Sequence, residues 1–251
     1  MIIRGPVVPA VLAVLLLAGC GVMTSGSASP APASRPSSAA PPSPAPRLKV
    51  TYPRAGGGTF TSAEAEPEAA GQGGALRYRV LVEKDITGIS PAAFAATVAA
   101  TLGDPRGWTA GGGRSFRRVG VRDARDFTIY LVTPGTRDTL CQDVPDGYTS
   151  CRNGDRVVLN VARWVKGVPG YGAPLAAYRQ YMVNHEVGHR LGQGHEMCPG
   201  KGRPAPVMQQ QTLGMHGCRP QPWPYRDGRR YSGPSGQYDD PMPPRDRGSA
   251  G

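Results

Sequence analysis

Three of the four histidines in this 251-residue chain lie within eleven positions, in the stretch HEVGHRLGQGH. His185 and His189 are four residues apart, so on a helix both imidazoles project from one face and can hold a single metal ion. Glu186 points about 100° around the helix, close to such an ion but not on it. Gly192 can end the helix in the left-handed conformation, which lets His195 approach from another side. Three neutral imidazoles are typical zinc ligands, and we predict a Zn²⁺ site with a fourth position open to water.

An open ligand position is characteristic of catalytic rather than structural zinc sites. Zinc lowers the pKa of its bound water to near neutrality, and Glu186 is the predicted general base that takes the proton. Delivery of that proton to a leaving amine gives hydrolysis of an amide, most simply of a peptide bond. A rival arrangement uses a distant glutamate as third ligand, but Glu196 is the only glutamate after the helix and is adjacent to His195. Glu196 is then either a hydrogen-bond partner of the ligand set or a surface charge.

The stretch from His185 to His195 resembles the zinc signature of the metzincin metalloproteases, with every signature position filled. That resemblance implies an α+β, layered fold with a twisted mixed sheet, an edge strand above the cleft, an active-site helix below it and an irregular C-terminal part. A peptide or protein substrate would lie antiparallel to the edge strand. Metzincins also carry a methionine in a tight turn beneath the zinc. Met208 in APVMQQQT is the expected counterpart, and Met215 is the second candidate.

Residues 50–225 also resemble an uncharacterised family of actinobacterial secreted proteins and lipoproteins, known only as a domain of unknown function. Two features depart from the metzincin pattern. No propeptide cysteine that could block the zinc is visible, and no tyrosine directly follows the expected methionine turn. Tyr225 could stabilise the oxyanion, although aromatic packing is its simpler role.

Residues 1–19 resemble a bacterial lipoprotein signal peptide. A short apolar run follows Arg4, and two small residues precede Cys20, the predicted lipidation site. An ordinary secretory signal is the alternative. Both predict export, with the protein secreted or held on the outer face of the bacterial membrane through a lipid anchor.

Composition divides the rest of the chain into three parts. Residues 20–47 are rich in Ser, Pro and Ala, which predicts a disordered tether. Residues 227–251 are rich in Gly, Pro, Arg and Asp, which predicts a disordered tail. The folded, metalloprotease-like domain is therefore expected at residues 48–226.

The cysteines beyond Cys20 indicate disulfides. Cys141, Cys151, Cys198 and Cys218 are an even number in an exported chain, and four cysteines allow three pairings. Short loops favour Cys141 with Cys151 and Cys198 with Cys218. A thiolate metal site is the alternative, but the chain has no C-x-x-C pair to suggest one.

Periodicity predicts strands and helices in a mixed order, which indicates an α+β or α/β layered arrangement. Apolar alternation predicts strands over 75–85, 126–134 and 155–165. Capping residues and apolar spacing predict helices over 90–108 and 174–192. The zinc motif therefore falls at the end of the second predicted helix.

The net charge of +11 bears on partners. In an exported, anchored protein this charge favours lipid head groups or anionic cell-wall polymers over nucleic acid. A simple solvated surface is the alternative. The densest basic stretch consists of Arg114, Arg117, Arg118, Arg122 and Arg125.

The leading hypothesis is a membrane-tethered zinc metallopeptidase of the cell envelope. One alternative is a non-catalytic, zinc-containing lipoprotein that binds envelope components. Another is an amidase acting on cell-wall peptides. Glu186 favours catalysis, because a purely structural zinc site has no use for a carboxylate that does not bind the metal.

Overall fold

The sequence folds into alternating strands and helices, which a computed structural model describes over residues 49–249. The predicted signal peptide 1–19, the predicted tether 20–47 and Cys20 lie outside the described residues. Among residues 49–249, no helix is both long enough and apolar enough to cross a membrane.

Within residues 49–249, seven strands form one twisted mixed sheet. Its spatial order is β2-β4-β3-β5-β7-β6, and β1 pairs with the end of β3. The four central strands β4, β3, β5 and β7 are parallel to one another, whereas β1, β2 and β6 pair antiparallel with β3, β4 and β7. The strands are β1 Phe60–Ser62, β2 Ala70–Gly71, β3 Gly74–Glu83, β4 Arg114–Arg118, β5 Phe127–Val132, β6 Cys151–Asn153 and β7 Arg156–Asn160. A separate hairpin is made by β8 Tyr225–Arg226 and β9 Arg229–Arg230.

In the described part of the chain, four helices cover the two faces of the sheet. They are α1 Pro91–Leu102, α2 Pro134–Cys141, α3 Val161–Lys166 and α4 Leu175–Arg190. Side chains of α1, α3 and α4 share the large core cluster with Ile129 and Leu131 of β5. Val132 and Val158 face the other way, toward Cys141 of α2. The central strands are buried on both faces, which explains why FTIYLV is apolar at nearly every position.

The coarse α+β prediction is confirmed, and so are the predicted helices that became α1 and α4. The Ser90 side chain accepts a hydrogen bond from the Ala93 amide at 3.1 Å and caps α1. Pro91 occupies the first turn, where its missing N–H costs nothing.

Two helices were missed. Pro134 is the last residue of the predicted strand 126–134, but in the structure it is the first residue of α2, which Thr133 caps. The predicted strand 155–165 is wrong in its second half, because the Asn160 side chain accepts a hydrogen bond from Ala162 N at 3.0 Å and starts α3. A strand followed directly by a capped helix leaves no polar gap in the sequence to mark the change.

Both predicted disulfides are confirmed, Cys141 with Cys151 and Cys198 with Cys218. The first connects the end of α2 to β6. The second closes a loop beyond the helix that carries the histidines.

The structure differs from the predicted disordered tail. Residues 227–249 pack along the domain, and Asp246 accepts a hydrogen bond from Lys166 Nζ at 2.8 Å. Two backbone hydrogen bonds join Ser249 to Tyr52. Composition measures how much apolar surface a segment can bury, and it misses a segment that polar contacts hold in place.

Candidate metal centre and cleft

Helix α4 carries the first two histidines to its C-terminal end. The helix ends at Arg190, and Gly192 has a φ of 84°, in the left-handed region that glycine adopts without strain. The Gly192 amide donates to the His189 carbonyl at 3.1 Å. The chain therefore turns sharply after α4, as the sequence predicts, and brings His195 back toward the helix.

The three imidazoles converge through their Nε2 atoms. His189 Nε2 lies 3.2 Å from His185 Nε2 and 3.1 Å from His195 Nε2. One ligand nitrogen from each ring lies within 4.8 Å of the other two. Tetrahedral ligands 2.0–2.1 Å from zinc are about 3.3–3.4 Å apart, close to the two shortest separations.

The hydrogen bonds of the Nδ1 atoms fix the tautomers. His185 Nδ1 lies 2.8 Å from the Val207 carbonyl oxygen, and His189 Nδ1 lies 2.8 Å from the Gln193 carbonyl oxygen. A carbonyl oxygen can only accept, so each Nδ1 carries the proton and each Nε2 keeps its lone pair. The Nε2 lone pairs of His185 and His189 therefore face each other at 3.2 Å with no proton between them, and a bound cation would remove their repulsion. The donor set therefore fits a zinc ion.

Burial keeps the helical histidines neutral. Burial, together with the other two histidines, lowers the pKa of His185 well below its usual value. Burial also lowers the pKa of His189 to about 4, although the hydrogen bond to Gln193 opposes that shift. Only neutral imidazole can bind a metal, so both rings are in the binding form at neutral pH.

Glu186 lines the same cleft as the three histidines and has only 6% of its surface exposed. Burial raises its pKa to about 8, and the positive charge of Arg137 limits that shift. A carboxyl group with a pKa near neutrality can both accept and return a proton. This position and pKa suit the general base that the sequence predicts.

Met208 is fully buried and lies in a turn in which the Gln209 amide donates to Pro206 at 3.0 Å. A Cβ atom at Gly188 would collide with the Met208 sulfur and come within 2.8 Å of the Trp108 ring. The missing side chain at Gly188 therefore lets this turn pack against α4 between the two helical histidines. Met215 is only partly buried and packs on the edge of the core.

The cleft has a volume of about 730 Å³. Its apolar lining includes Tyr181 and Leu213, and its rim includes Arg152 of the edge strand β6. Residues 143–146 form part of one wall, and residues 242–245 of the C-terminal segment form another part of the lining. The cleft is therefore built partly from chain that was predicted to be a loose tail.

Arg137 holds the wall of the cleft from within. Its guanidinium lies 2.8 Å from Asp143 and 3.2 Å from Asp146, and it donates to Thr149 Oγ1 at 3.0 Å. Only 2% of the Arg137 surface is exposed. A buried charge needs such partners, and here they fix the loop that faces the histidines.

Two other candidates lie away from the ligand set. Glu196 accepts a hydrogen bond from Arg230 at 2.9 Å and has no hydrogen bond to a histidine among the described residues. Tyr225 packs against Gly111 and is not part of the cleft lining among residues 49–249. The fourth histidine, His216, pairs with Asp240 at 2.9 Å.

The basic stretch is divided between structural and solvent-facing roles. Arg118 donates to the Glu64 and Ala95 carbonyls, and Arg125 donates to Thr128. These two side chains tie elements together. The exposed members are Arg117, Arg122 and Arg125, and Arg114 and Arg118 are half-buried.

Three oxygen partners of the histidine rings were not predicted. The Val207 and Gln193 acceptors are backbone carbonyls, which every residue carries, so the sequence does not indicate them. The third is the side chain of Gln237, whose Oε1 lies 2.8 Å from His195 Nδ1. Gln237 is 42 residues from that histidine and in the segment predicted to be disordered.

Residues 48–219 match the family described as a protein of unknown function (DUF3152). The chain belongs to this family. No curated protein and no solved structure gives a significant match to the chain. The matched range contains the histidine cluster, Glu186 and both disulfides, and it ends before the segment that carries Gln237.

Proposed function

We propose that this protein is a zinc-dependent metallopeptidase of the cell envelope, in which His185, His189 and His195 hold the metal. The observation that carries the proposal is the convergence of three Nε2 lone pairs beside the buried carboxyl group of Glu186. A structural site would be served by a fourth protein ligand, and the described residues 49–249 place no fourth His, Cys, Asp or Glu in this cluster.

A bound zinc ion would supply Lewis acidity, which activates water and polarises a carbonyl group. Glu186 would accept the proton of the attacking water, and burial, which raises its pKa, makes its carboxylate form a stronger base for that step. The same carboxyl group would then protonate the leaving nitrogen. Met208, packed against Gly188, would form the apolar floor of the site, as the resemblance to metzincins implies.

Strand β6 supports a peptide or protein as the substrate. It is the last strand of the sheet, pairs antiparallel with β7, and places Cys151 and Arg152 in the cleft lining. Its outer edge has no strand partner among residues 49–249. An extended peptide could add to this edge through backbone hydrogen bonds and pass the histidines. The geometry is equally open to the stem peptides of the cell wall, so an amidase or crosslink peptidase is included in the proposal.

Export and membrane anchoring through Cys20 also belong to this proposal. The two disulfides support it, because such bonds persist in oxidising compartments outside the cytoplasm. The exposed arginines of the basic stretch could contact anionic wall polymers or lipid head groups.

A zinc-containing protein that binds envelope components without catalysis is the competing function. It accounts for the histidines but gives no role to a buried carboxyl group directed into the cleft. Glu186 therefore separates the two functions.

The test compares three full-length proteins: the parent, Glu186→Gln and the control Glu64→Gln. Glu64 is an exposed glutamate outside the cleft lining. Each is assayed for zinc content and for cleavage of a peptide mixture with and without a chelator. We expect about one zinc per chain in all three, and cleavage by the parent and by Glu64→Gln that the chelator abolishes.

Glu186→Gln should keep its zinc but lose at least a hundredfold in cleavage rate, the usual contribution of a general base. Equal cleavage by Glu186→Gln and the parent would show that the assigned base is wrong. Zinc binding without cleavage by the parent would favour the non-catalytic function.

A further inference from the structure

The third zinc ligand differs from the other two in what orients its ring. His185 and His189 donate to backbone carbonyls of Val207 and Gln193, which belong to the part of the chain that matches the family. His195 Nδ1 instead contacts a side chain, the Oε1 atom of Gln237, at 2.8 Å. We propose that Gln237 is a positioning residue for His195, so that the metal centre is complete only when the C-terminal segment 233–240 is docked. This inference rests on the zinc site of the proposed function.

The hydrogen bond determines which nitrogen of His195 faces the metal. An amide oxygen only accepts, so His195 Nδ1 must carry the proton, and its Nε2 lone pair is left to point at His189 Nε2, 3.1 Å away. Without this acceptor the ring could rotate or take the other tautomer. Partners of this kind typically change metal affinity by about 10- to 100-fold when they are removed.

The backbone holds Gln237 in register with His195. The Gly236 amide donates to the His195 carbonyl at 3.1 Å, and the Met197 amide donates to the Pro234 carbonyl at 2.8 Å. These bonds place the segment antiparallel to the chain that carries the third ligand. Gln237 is therefore directed at His195 by its immediate neighbours, as a positioning residue must be.

A second set of contacts anchors the far side of the segment. The Cys198 amide donates to the Tyr238 hydroxyl at 3.2 Å, and the Tyr238 ring stacks on His216 with centroids 3.4 Å apart. His216 also pairs with Asp240. The fourth histidine thus acts in docking the segment, next to the disulfide at Cys198, and does not join the ligand cluster.

The glycines of the segment allow it to approach so closely. A Cβ atom at Gly233 would come within 2.8 Å of the Pro206 ring and collide with the Met197 carbonyl. Gly236 has a φ of 139°, which side-chain-bearing residues rarely adopt. The segment that composition assigned to disorder is therefore built to lie against the metal site.

The test measures zinc affinity of the full chain by competition with a chromogenic chelator. It compares the parent with Gln237→Ala, Gln237→Glu and Gln72→Ala, a control at an exposed turn glutamine. Because the bond to His195 is solvent-exposed and water can replace part of it, we expect Gln237→Ala to bind zinc about tenfold more weakly, the low end of the usual range. Gln237→Glu keeps an acceptor oxygen and should bind zinc at least as tightly as the parent. The control Gln72→Ala should have the same zinc affinity as the parent.

Two further readouts separate positioning from packing. The visible spectrum of the Co²⁺-loaded protein should change in Gln237→Ala and not in Gln237→Glu, while the thermal midpoints of the metal-free proteins stay alike. Zinc affinity of Gln237→Ala within twofold of the parent would overturn the inference and leave the proposed zinc site standing. Equal weakening in Gln237→Ala and Gln237→Glu would also overturn it, since loss of packing alone predicts that result. A parent protein that binds no zinc would overturn both the inference and the proposed function.

Discussion

Arg137 offers the sharpest test of what holds the cleft wall together, through the substitution Arg137→Met. The side chain is buried, and its partners Asp138 and Asp146 have side-chain exposures of 10% and 7%. Methionine fills much of the same volume without the charge. The substitution therefore leaves the buried carboxylate of Asp146 without its cation, whereas Asp138 keeps an ion pair with Arg245.

Removing one partner of a buried charge pair costs about 3–5 kcal/mol. We expect the low end, about 3 kcal/mol, because Asp138 still accepts from the Gly147 amide, and Asp146 still accepts from the amides of Tyr148 and Thr149. Asp143 is 48% exposed and should add little. For a domain of this size, 3 kcal/mol corresponds to a fall of about 6–12 °C in the thermal midpoint.

The assay is thermal unfolding of the purified protein, followed by circular dichroism. Arg122→Met is the matched control, since Arg122 is exposed and has no ion pair among residues 49–249, and it should shift unfolding by less than about 0.5 kcal/mol. Zinc affinity should not change, because Arg137 contacts none of the histidines. A midpoint for Arg137→Met equal to that of the control would show that this buried arginine network does not stabilise the wall.

Three further predictions follow from the described contacts. Burial alone would raise the pKa of Asp246, but hydrogen bonds and the positive charge of its basic neighbours lower that pKa overall. The ionised Asp246 side chain therefore stabilises the fold above the usual aspartate pKa of about 3.9, and this stabilisation is lost as the pH falls through the lowered pKa. Asp246→Asn should therefore lose less stability between pH 5 and pH 3 than the parent does in urea titrations. A chain truncated after Arg226 should bind zinc at least about tenfold more weakly than the full chain by chelator competition, and equal affinity would exclude a role for the C-terminal segment. Joint replacement of Cys198 and Cys218 by serine should cost about 3 kcal/mol in urea unfolding, and an unchanged transition would show that this bridge does not constrain the unfolded chain.

Local patterns predicted the parts of the site that lie close together in sequence. The four-residue spacing of His185 and His189 and the glycine at position 192 are enough to place the end of α4 and the return of the chain. The pairings of the disulfides also followed from short loops. The residues in each of these contacts are 20 positions or fewer apart in sequence. Helix geometry and short loop closure are therefore enough to predict which residues meet.

Longer-range contacts could not be predicted in the same way. Helices α2 and α3 begin directly at the ends of strands. Their N-caps, Thr133 and Asn160, end the strand and start the helix, and apolar periodicity does not mark this change. Gln237 reaches His195 only because hydrogen bonds and glycines on both sides dock its segment. The sequence places that segment in a Gly- and Pro-rich region, whose composition predicts disorder unless tertiary contacts are known.

X-ray absorption of the zinc-loaded full chain shows directly whether three imidazoles bind one zinc ion and leave a ligand position open. We predict about one zinc per chain and a coordination shell of three histidine nitrogens and one oxygen, at about 2.0–2.1 Å. The His189→Ala variant should fail to retain stoichiometric zinc. Sulfur ligands at about 2.3 Å, or equal zinc binding by the parent and His189→Ala, would contradict this prediction.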